Sequence, residues 1–283
     1  MAGSAKLNRT RFAPSPTGPL HLGHALAAFT AFERADPGQF LLRIEDLDKS
    51  RARPEWEAQI LNDLAWLGLS WQEPVMRQST RAQAYDAALD TLSDRGLTYR
   101  CACTRADIRE ALSAPQEGAP ILGPDGAIYP GTCRPPSVRG LGGETIRLNM
   151  AAAISALPDL PQFTETGAQS AEHVLDANWL ITHCGDVILS RRDMGAAYHL
   201  AVVVDDAAQG ITEVTRGEDL FEATFIHVLL QALLGLPTPR YHHHPLIRDD
   251  AGKRLAKRDD ARAIRSYRDA GLTPLQVKSL IGL

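Results

Sequence analysis

The sequence predicts an α/β nucleotide-binding fold interrupted by one small inserted unit, and three observations carry that prediction. A Pro/Gly-stiffened segment, Arg11-Phe12-Ala13-Pro14-Ser15-Pro16-Thr17-Gly18-Pro19-Leu20, leads from a short apolar strand into a helix whose first turn is His21-Leu22-Gly23-His24. In the middle of the chain Cys101, Cys103 and Cys133 bracket a Pro/Gly-rich stretch, and near the far end Lys253-Arg254-Leu255-Ala256-Lys257-Arg258 follows a glycine. With 283 residues, 44% of them hydrophobic, the chain can bury a full α/β core and still carry an insertion. No apolar run approaches the ~20 residues of a membrane span, and Met1 to Thr10 is too polar for a signal peptide, so a cytoplasmic monomer without a membrane partner is expected. A net charge of −4 argues against a broad nucleic-acid wrapping surface but allows a local basic patch.

Leu7 to Phe12 reads as the strand entering the loop. Pro14 and Pro16 fix φ and keep the residues before them extended, and Gly18 allows a tight turn. Ala25, Leu26, Phe29 and Phe32 then recur at helical spacing, so a helix starts near His21 and ends about Asp36-Pro37-Gly38. Its free N–H groups and positive dipole end favour an anion. Two imidazoles three apart share a face from which they can donate to phosphate, and Gly23 removes a Cβ that would block a flat adenine or ribose. The plainer alternative is two histidines that cap and solvate a first turn.

Gln39 to Glu45 is a buried strand with Leu42 and Ile44 on one face and Arg43 and Glu45 on the other. Glu45 emerges beside the loop, placed to neutralise an amino-acid ammonium; the alternative is a salt bridge to Arg43 or Lys49. Pro54 opens a core helix carrying Trp56, Ile60, Leu61, Leu64 and Leu67, closed by Gly68. Thr80 and Gln83 form a capping-box pattern for the next, striped by Tyr85, Ala88, Leu89 and Leu92 and stopped by Gly96.

Cys101-x-Cys103 and Tyr129-x-x-x-Cys133 mark the insertion. Three thiolates plus a fourth ligand suit a tetrahedral, structural Zn²⁺, for which chemistry alone would seek a histidine. Arg100, Arg105 and Arg134 stand where they would offset the negative site, and Cys184, beside Ile181 and Val187, is expected to be a buried small hydrophobe. Residues 134–178 carry little signal. The core resumes near Asp186-Val187-Ile188-Leu189-Ser190, periodicity allows either strand or helix from Tyr198 to Asp206, and Arg216 opens the following loop. Consecutive His242-His243-His244 cannot all face one ion, so a loop near the active site is expected there.

His21 to His24 resembles the His-Ile-Gly-His signature of class I aminoacyl-tRNA synthetases, and the basic run resembles their Lys-Met-Ser-Lys-Ser signature. Arg11 to Gly18, Leu42-Arg43-Ile44-Glu45-Asp46, Leu200 to Asp206 and Arg216-Gly217-Glu218-Asp219-Leu220 look like the glutamyl branch, most of all its short glutamyl-queuosine form, over about residues 9 to 260. The resemblance implies a Rossmann-like nucleotide-binding domain with an inserted zinc-containing acceptor-binding subdomain. Residues 8–97 would form its first half, 98–180 the insertion, 181–240 the second half, and 241–283 the basic loop and a short helical tail.

It also implies the chemistry, ATP-dependent activation of L-glutamate with Mg²⁺ on the phosphates. His21, Gly23 and His24 would hold ATP together with Lys253, Arg254, Lys257 and Arg258, His21, His24 and Lys257 being catalytic. Arg11, Phe12, Ala13, Pro14, Ser15, Glu45, Tyr198 and Arg216 would bind glutamate, with Tyr198 on a helix and either arginine able to take the side-chain carboxylate. Ala256 stands where the family commonly has serine, which implies a weaker pyrophosphate contact. Tyr129 would be the fourth zinc ligand. Only 25 residues follow Arg258, which leads to the expectation of no anticodon-binding domain and an acceptor on queuosine-containing tRNA(Asp). The alternatives are a glutamyl-tRNA ligase charging a tRNA 3′ end and an inactive tRNA-binding paralogue.

Overall fold

The computed structural model describes residues 7–113, 122–134, 144–247 and 262–283. The first third alternates strands and helices: β1 (Thr10–Phe12), α1 (Leu22–Arg34), β2 (Phe40–Ile44), α2 (Pro54–Trp66), β3 (Gln72–Arg77) and α3 (Ala82–Asp94). The three strands pair in parallel in the order β1-β2-β3. Every residue of β2 is buried, as a parallel strand covered on both faces requires. Phe40, Leu42 and Ile44 join one apolar cluster with α1 and α2, while Leu41 joins another on the opposite face. Gly68 and Gly96 end α2 and α3 at φ +81° and +70°, which a β-carbon would oppose.

The expected capping box at α3 does not form. The Thr80 hydroxyl donates to the Arg77 carbonyl and closes a short 3₁₀ turn, so the cap falls on Arg81, which makes no side-chain capping bond.

The middle of the chain contributes β4 (Thr98–Cys101), α4 (Arg105–Ser113), the two-residue pair β5 (Leu122–Gly123) and β6 (Gly126–Ala127), β7 (Thr145–Leu148), α5 (Met150–Ser155), β8 (Gln162–Glu165), β9 (Ala171–Val174) and α6 (Ala177–Trp179). β10 (Ile188–Arg191), β11 (Gly195–Ala196), α7 (Tyr198–Ala208), β12 (Glu213–Gly217), α8 (Phe221–Leu234), β13 (Arg240–His244), α9 (Ile264–Asp269) and α10 (Pro274–Leu280) complete it. The 180/181 division falls inside this arrangement. β8 and β9, from before it, join the sheet of β12 and β13, while β10 and β11, from after it, join the sheet of β7 and β4 through the β10–β7 pair.

β12 and β13 run parallel, and the N–H groups of Thr212 and Glu213 donate to the Arg9 carbonyl, so β12 lies beside β1. From β1 the chain winds outward through β2 and β3 on one side, and through β12 and β13 on the other. The carboxyl ends of β1 and β12 therefore flank the point where strand order reverses, the crevice in which open α/β sheets hold their ligands. Among the described residues no helix is long and apolar enough to cross a membrane.

Candidate active site

β1 and α1 build one wall of that crevice. His21 caps α1: its Nδ1 accepts the Gly23 N–H at 3.1 Å, and His24 Nδ1 accepts the His21 N–H at 3.1 Å. The two rings lie 3.8 Å apart. With both Nδ1 atoms engaged as acceptors, each neutral imidazole carries its proton on Nε2, a donor suited to phosphate oxygen. The Gly23 amide is engaged by the His21 cap, so it is not among the free amides expected at this helix start. A Cβ at Gly23 would come 3.0 Å from His21 Cε1, so the capping ring would have to give by a few tenths of an ångström to admit one.

Beneath the crevice, charged side chains from distant segments interlock. Arg11 grips Asp206 with two N–H groups (2.9 and 3.2 Å) and donates a third to the Thr215 carbonyl. Arg43 donates to the same Asp206 at 2.6 Å and to Glu45 at 3.3 Å. Asp205, on the other side of α7, accepts from Gln78, Arg81 and the Tyr85 hydroxyl. Burial alone would raise the Asp206 carboxyl, but the charges of Arg11 and Arg43 outweigh it and hold the group at about 2. At Glu45 burial wins over Arg43 and Arg11 and pushes the carboxyl above its usual value. Glu45 thus fills both sequence alternatives, ion-paired to Arg43 and lining the cavity.

Arg216 differs from the expected loop position. It lies within β12, buried, and donates to His243 Nε2 (3.1 Å), His227 Nδ1 (3.0 Å) and Thr224 Oγ1 (2.7 Å), with the Tyr198 hydroxyl at 3.4 Å. Tyr198 opens helix α7. His242 to His244 also correct the sequence reading: they form the end of β13, where alternation sends neighbours to opposite faces. His243 turns to Arg216 and Glu165, while His242 Nδ1 meets the Thr166 hydroxyl.

A cavity of about 410 Å³ opens at this junction, lined by Arg11, Phe12, Ala13, Ser15, His21, Gly23, His24, Glu45, Tyr198 and Arg216 among others. Pro14 is not in its lining; it is buried behind the wall, and its carbonyl accepts the Glu45 N–H. Thr215 Oγ1 and His244 Nε2, on two other lining residues, are buried without a hydrogen-bond partner, which a bound ligand could satisfy. Lys253, Arg254, Ala256, Lys257 and Arg258 lie outside the described residues. Both described flanks of that segment reach the site: Ile247 lines the cavity, and Ala263 bridges to His21 while the Ile264 N–H donates to the Leu20 carbonyl.

The cysteine cluster forms at the end of β4. The sulfurs of Cys101, Cys103 and Cys133 lie within 4.8 Å of one another, and the Tyr129 hydroxyl stands 3.4 Å from the sulfurs of both Cys101 and Cys103. An ion ~2.3 Å from each sulfur sets neighbouring tetrahedral sulfurs about 3.8 Å apart, so the residues fit one metal. Burial would raise the Cys133 thiol, but hydrogen bonds from the Tyr129 hydroxyl and the Ala102 N–H hold it at about 7, towards the thiolate a metal needs, whereas burial pushes the Cys103 thiol up to about 11. The expected compensation by Arg134 is redirected: its Nε pairs with buried Asp186 at 2.8 Å. Arg100 and Arg105 are exposed, and Arg147 of β7 lies 3.9 Å over the Tyr129 ring. Cys184 is buried, and burial pushes its thiol up to about 12.

The family model of class I tRNA synthetases (E and Q), catalytic domain, matches residues 8–120 and 173–283. The chain belongs to this family. It is 59% identical to the glutamyl-Q tRNA(Asp) synthetase of Rhodobacter capsulatus over 97% of this chain and 99% of that one, and 43% identical to that of Geobacter sulfurreducens over 92% and 78%. A glutamate tRNA ligase from Elizabethkingia meningosepticum, solved with its amino acid, superposes with a TM-score of 0.69 at 28% identity. The match covers 90% of this chain and 53% of that one, so the chain spans about half the ligase's length. A methionyl-tRNA synthetase from Mycobacterium tuberculosis shares the fold at TM-score 0.60 and 12% identity.

The structural role of several residues of this class I catalytic domain escapes a reading by motif. Asp205 and Asp206 end the family-like stretch Leu200 to Asp206, but nothing in that stretch announces that they carry the lattice under the cavity. Thr224 and His227 sit three apart on the mostly apolar α8, the spacing that places two polar groups on one face. Glu165 lies in a stretch of little pattern, and Asp186 opens an apolar run that gives it no role of its own.

Proposed function

We propose that this chain, a cytoplasmic monomer, activates L-glutamate with ATP as glutamyl-adenylate and transfers the glutamyl group to the queuosine base in the anticodon loop of tRNA(Asp). The observation that carries the activation step is the charge pattern of the cavity. The guanidiniums of Arg216 and Arg11 and the carboxylates of Glu45 and Asp219 line the same space, cations for the carboxylates of glutamate and anions for its ammonium. Arg216 is the better arginine for the side chain, because Arg11 is already gripped by Asp206. Arg11, with its remaining donors, and the Ser15 hydroxyl then face the rest of the amino acid alongside the backbone of Phe12 and Ala13. The acceptor follows from the full-length likeness to relatives named for it.

In this reading the protein positions groups and neutralises charge as the α-carboxylate attacks the α-phosphorus and pyrophosphate leaves. The Nε2–H groups of His21 and His24 hold phosphate oxygens, and Lys257, aided by Lys253, Arg254 and Arg258, takes the charge that develops on the leaving group. Mg²⁺ bound with ATP supplies further neutralisation of the phosphates. A hydroxyl of the queuosine cyclopentene diol, which resembles a terminal ribose, then attacks the adenylate carbonyl and releases AMP. Cys101, Cys103, Tyr129 and Cys133 would hold a structural Zn²⁺; with four protein ligands it leaves no position for substrate. Glutamate-dependent exchange of pyrophosphate into ATP, measured without tRNA, tests the activation step. Exchange that requires tRNA, or that runs equally on glutamine, would contradict it.

A further inference from the structure

The charged groups beneath the cavity pair with one another: Arg11, Arg43 and Arg81 meet Glu45, Asp205 and Asp206. Arg216 stands apart from that lattice. Its Nε, Nη1 and Nη2 donate to His243, His227 and Thr224, and among the described residues no carboxylate lies within 4.0 Å of its guanidinium. A buried arginine is ordinarily met by a carboxylate, so an uncharged cradle has a consequence for what the remaining face can bind.

The proton positions follow from the donors. An arginine only donates, so His243 Nε2 and His227 Nδ1 are lone pairs. His243 Nδ1–H then donates to Glu165 at 2.6 Å, and His227 Nε2–H to His199 Nδ1 at 3.0 Å, whose own Nε2–H reaches Asp125 at 2.8 Å. Every bond points away from Arg216, and both carboxylates, Glu165 and Asp125, are kept at least one imidazole from it. Burial first, and then the charge of Arg216, keeps His227 well below the usual histidine range, which agrees with a neutral ring.

We infer that His227, His243 and Thr224 are positioning residues that set substrate discrimination: they hold the inner N–H groups of Arg216 on neutral acceptors, leaving its charge for a substrate carboxylate and so separating glutamate from its neutral isostere, glutamine. The inference rests on the reading that Arg216 takes the side-chain carboxylate. A carboxylate in the cradle would neutralise Arg216 and leave a site that no longer prefers an anion, whereas a neutral acceptor at the same place would keep the preference.

The test compares His227→Asp with His227→Asn, which retains an uncharged acceptor near the Nδ1 position. In pyrophosphate exchange at pH 7.5, the KM for glutamate and the inhibition constant of glutamine are measured for each. His227→Asn should keep the ratio of the two constants within about threefold of wild type, while His227→Asp should lower it about tenfold or more, mainly by raising the glutamate KM. Thr224→Asp against Thr224→Asn repeats the comparison at Nη2 if either His227 variant fails to fold. Folded aspartate variants with the wild-type ratio would overturn the inference, as would asparagine variants that lose discrimination equally, since that is the mark of a structural role. Arg216→Gln separates the two levels: an unchanged glutamate KM in that variant overturns the site reading itself, whereas a large rise with unaltered ratios in the aspartate variants overturns the cradle alone.

Discussion

Replacing Asp206 with asparagine removes one charge from a lattice in which two buried guanidinium groups share that carboxylate, Arg11 at 2.9 Å and Arg43 at 2.6 Å. The carboxyl sits at about 2 in the fold against 3.8 for an unperturbed group. That difference corresponds to about 2.5 kcal/mol favouring the folded state with the group ionised. The folded value lies below the unfolded one, so this contribution is complete above about pH 4 and fades as pH falls towards 2. Leaving a buried charge unmatched typically costs about 3–5 kcal/mol, so Asp206→Asn should destabilise the protein by about 3 kcal/mol at pH 7.5. Urea unfolding followed by circular dichroism measures it, and the gap between variant and wild type should narrow below pH 4. A loss smaller than about 1 kcal/mol at pH 7.5 would refute the claim that Asp206 binds the two arginines as a charge.

Gly23→Ala brings a Cβ to 3.0 Å from His21 Cε1, so the ring must shift by a few tenths of an ångström; exchange activity should fall about tenfold while stability stays within about 1 kcal/mol, as alanine favours a helix and the strained cap opposes it. An unchanged exchange rate would show that the His21 position is not needed. Purified protein should contain one zinc per chain, lost together with stability in Cys133→Ser, and Tyr129→Phe should weaken zinc retention against a chelator if the phenol oxygen is a ligand. Metal-free protein of full stability would remove the site. Lys257→Ala should lower the rate of glutamate activation far more than glutamate affinity, the signature of a contact made in the transition state, and unaltered exchange would take the lysine out of the mechanism.

What the sequence made legible was local. His21, Gly23 and His24 cap one helix with neighbours a few residues away, and Cys101, Cys103, Tyr129 and Cys133 occur as two short patterns that meet across 26 to 30 residues. Glu45 could be placed because strand alternation sends it and Arg43 to one face. The lattice and the cradle were hidden because their partners are remote: Arg11 and Asp206 are separated by 195 residues and His243 and Glu165 by 78, and only the winding of β12 and β13 beside β1 brings them together. Arg134 could be read as a cluster neighbour from its position after Cys133, yet Asp186, 52 residues further along the chain, takes it. The histidine triplet failed as a loop for a related reason. Its polarity hid a strand in which His243 and His244 are buried by partners contributed from β8 and β12.

The acceptor is the central claim, and one labelling experiment tests it directly. Labelled glutamate and ATP are given to the enzyme with tRNA(Asp) that contains queuosine and with tRNA(Asp) that lacks it, and nuclease digestion then locates the label. Label confined to the queuosine nucleoside, and absent from the tRNA without it, is the predicted result. Label on the 3′-terminal adenosine, or equal charging of the two tRNAs, would contradict the account and assign the chain to ordinary glutamyl-tRNA ligation.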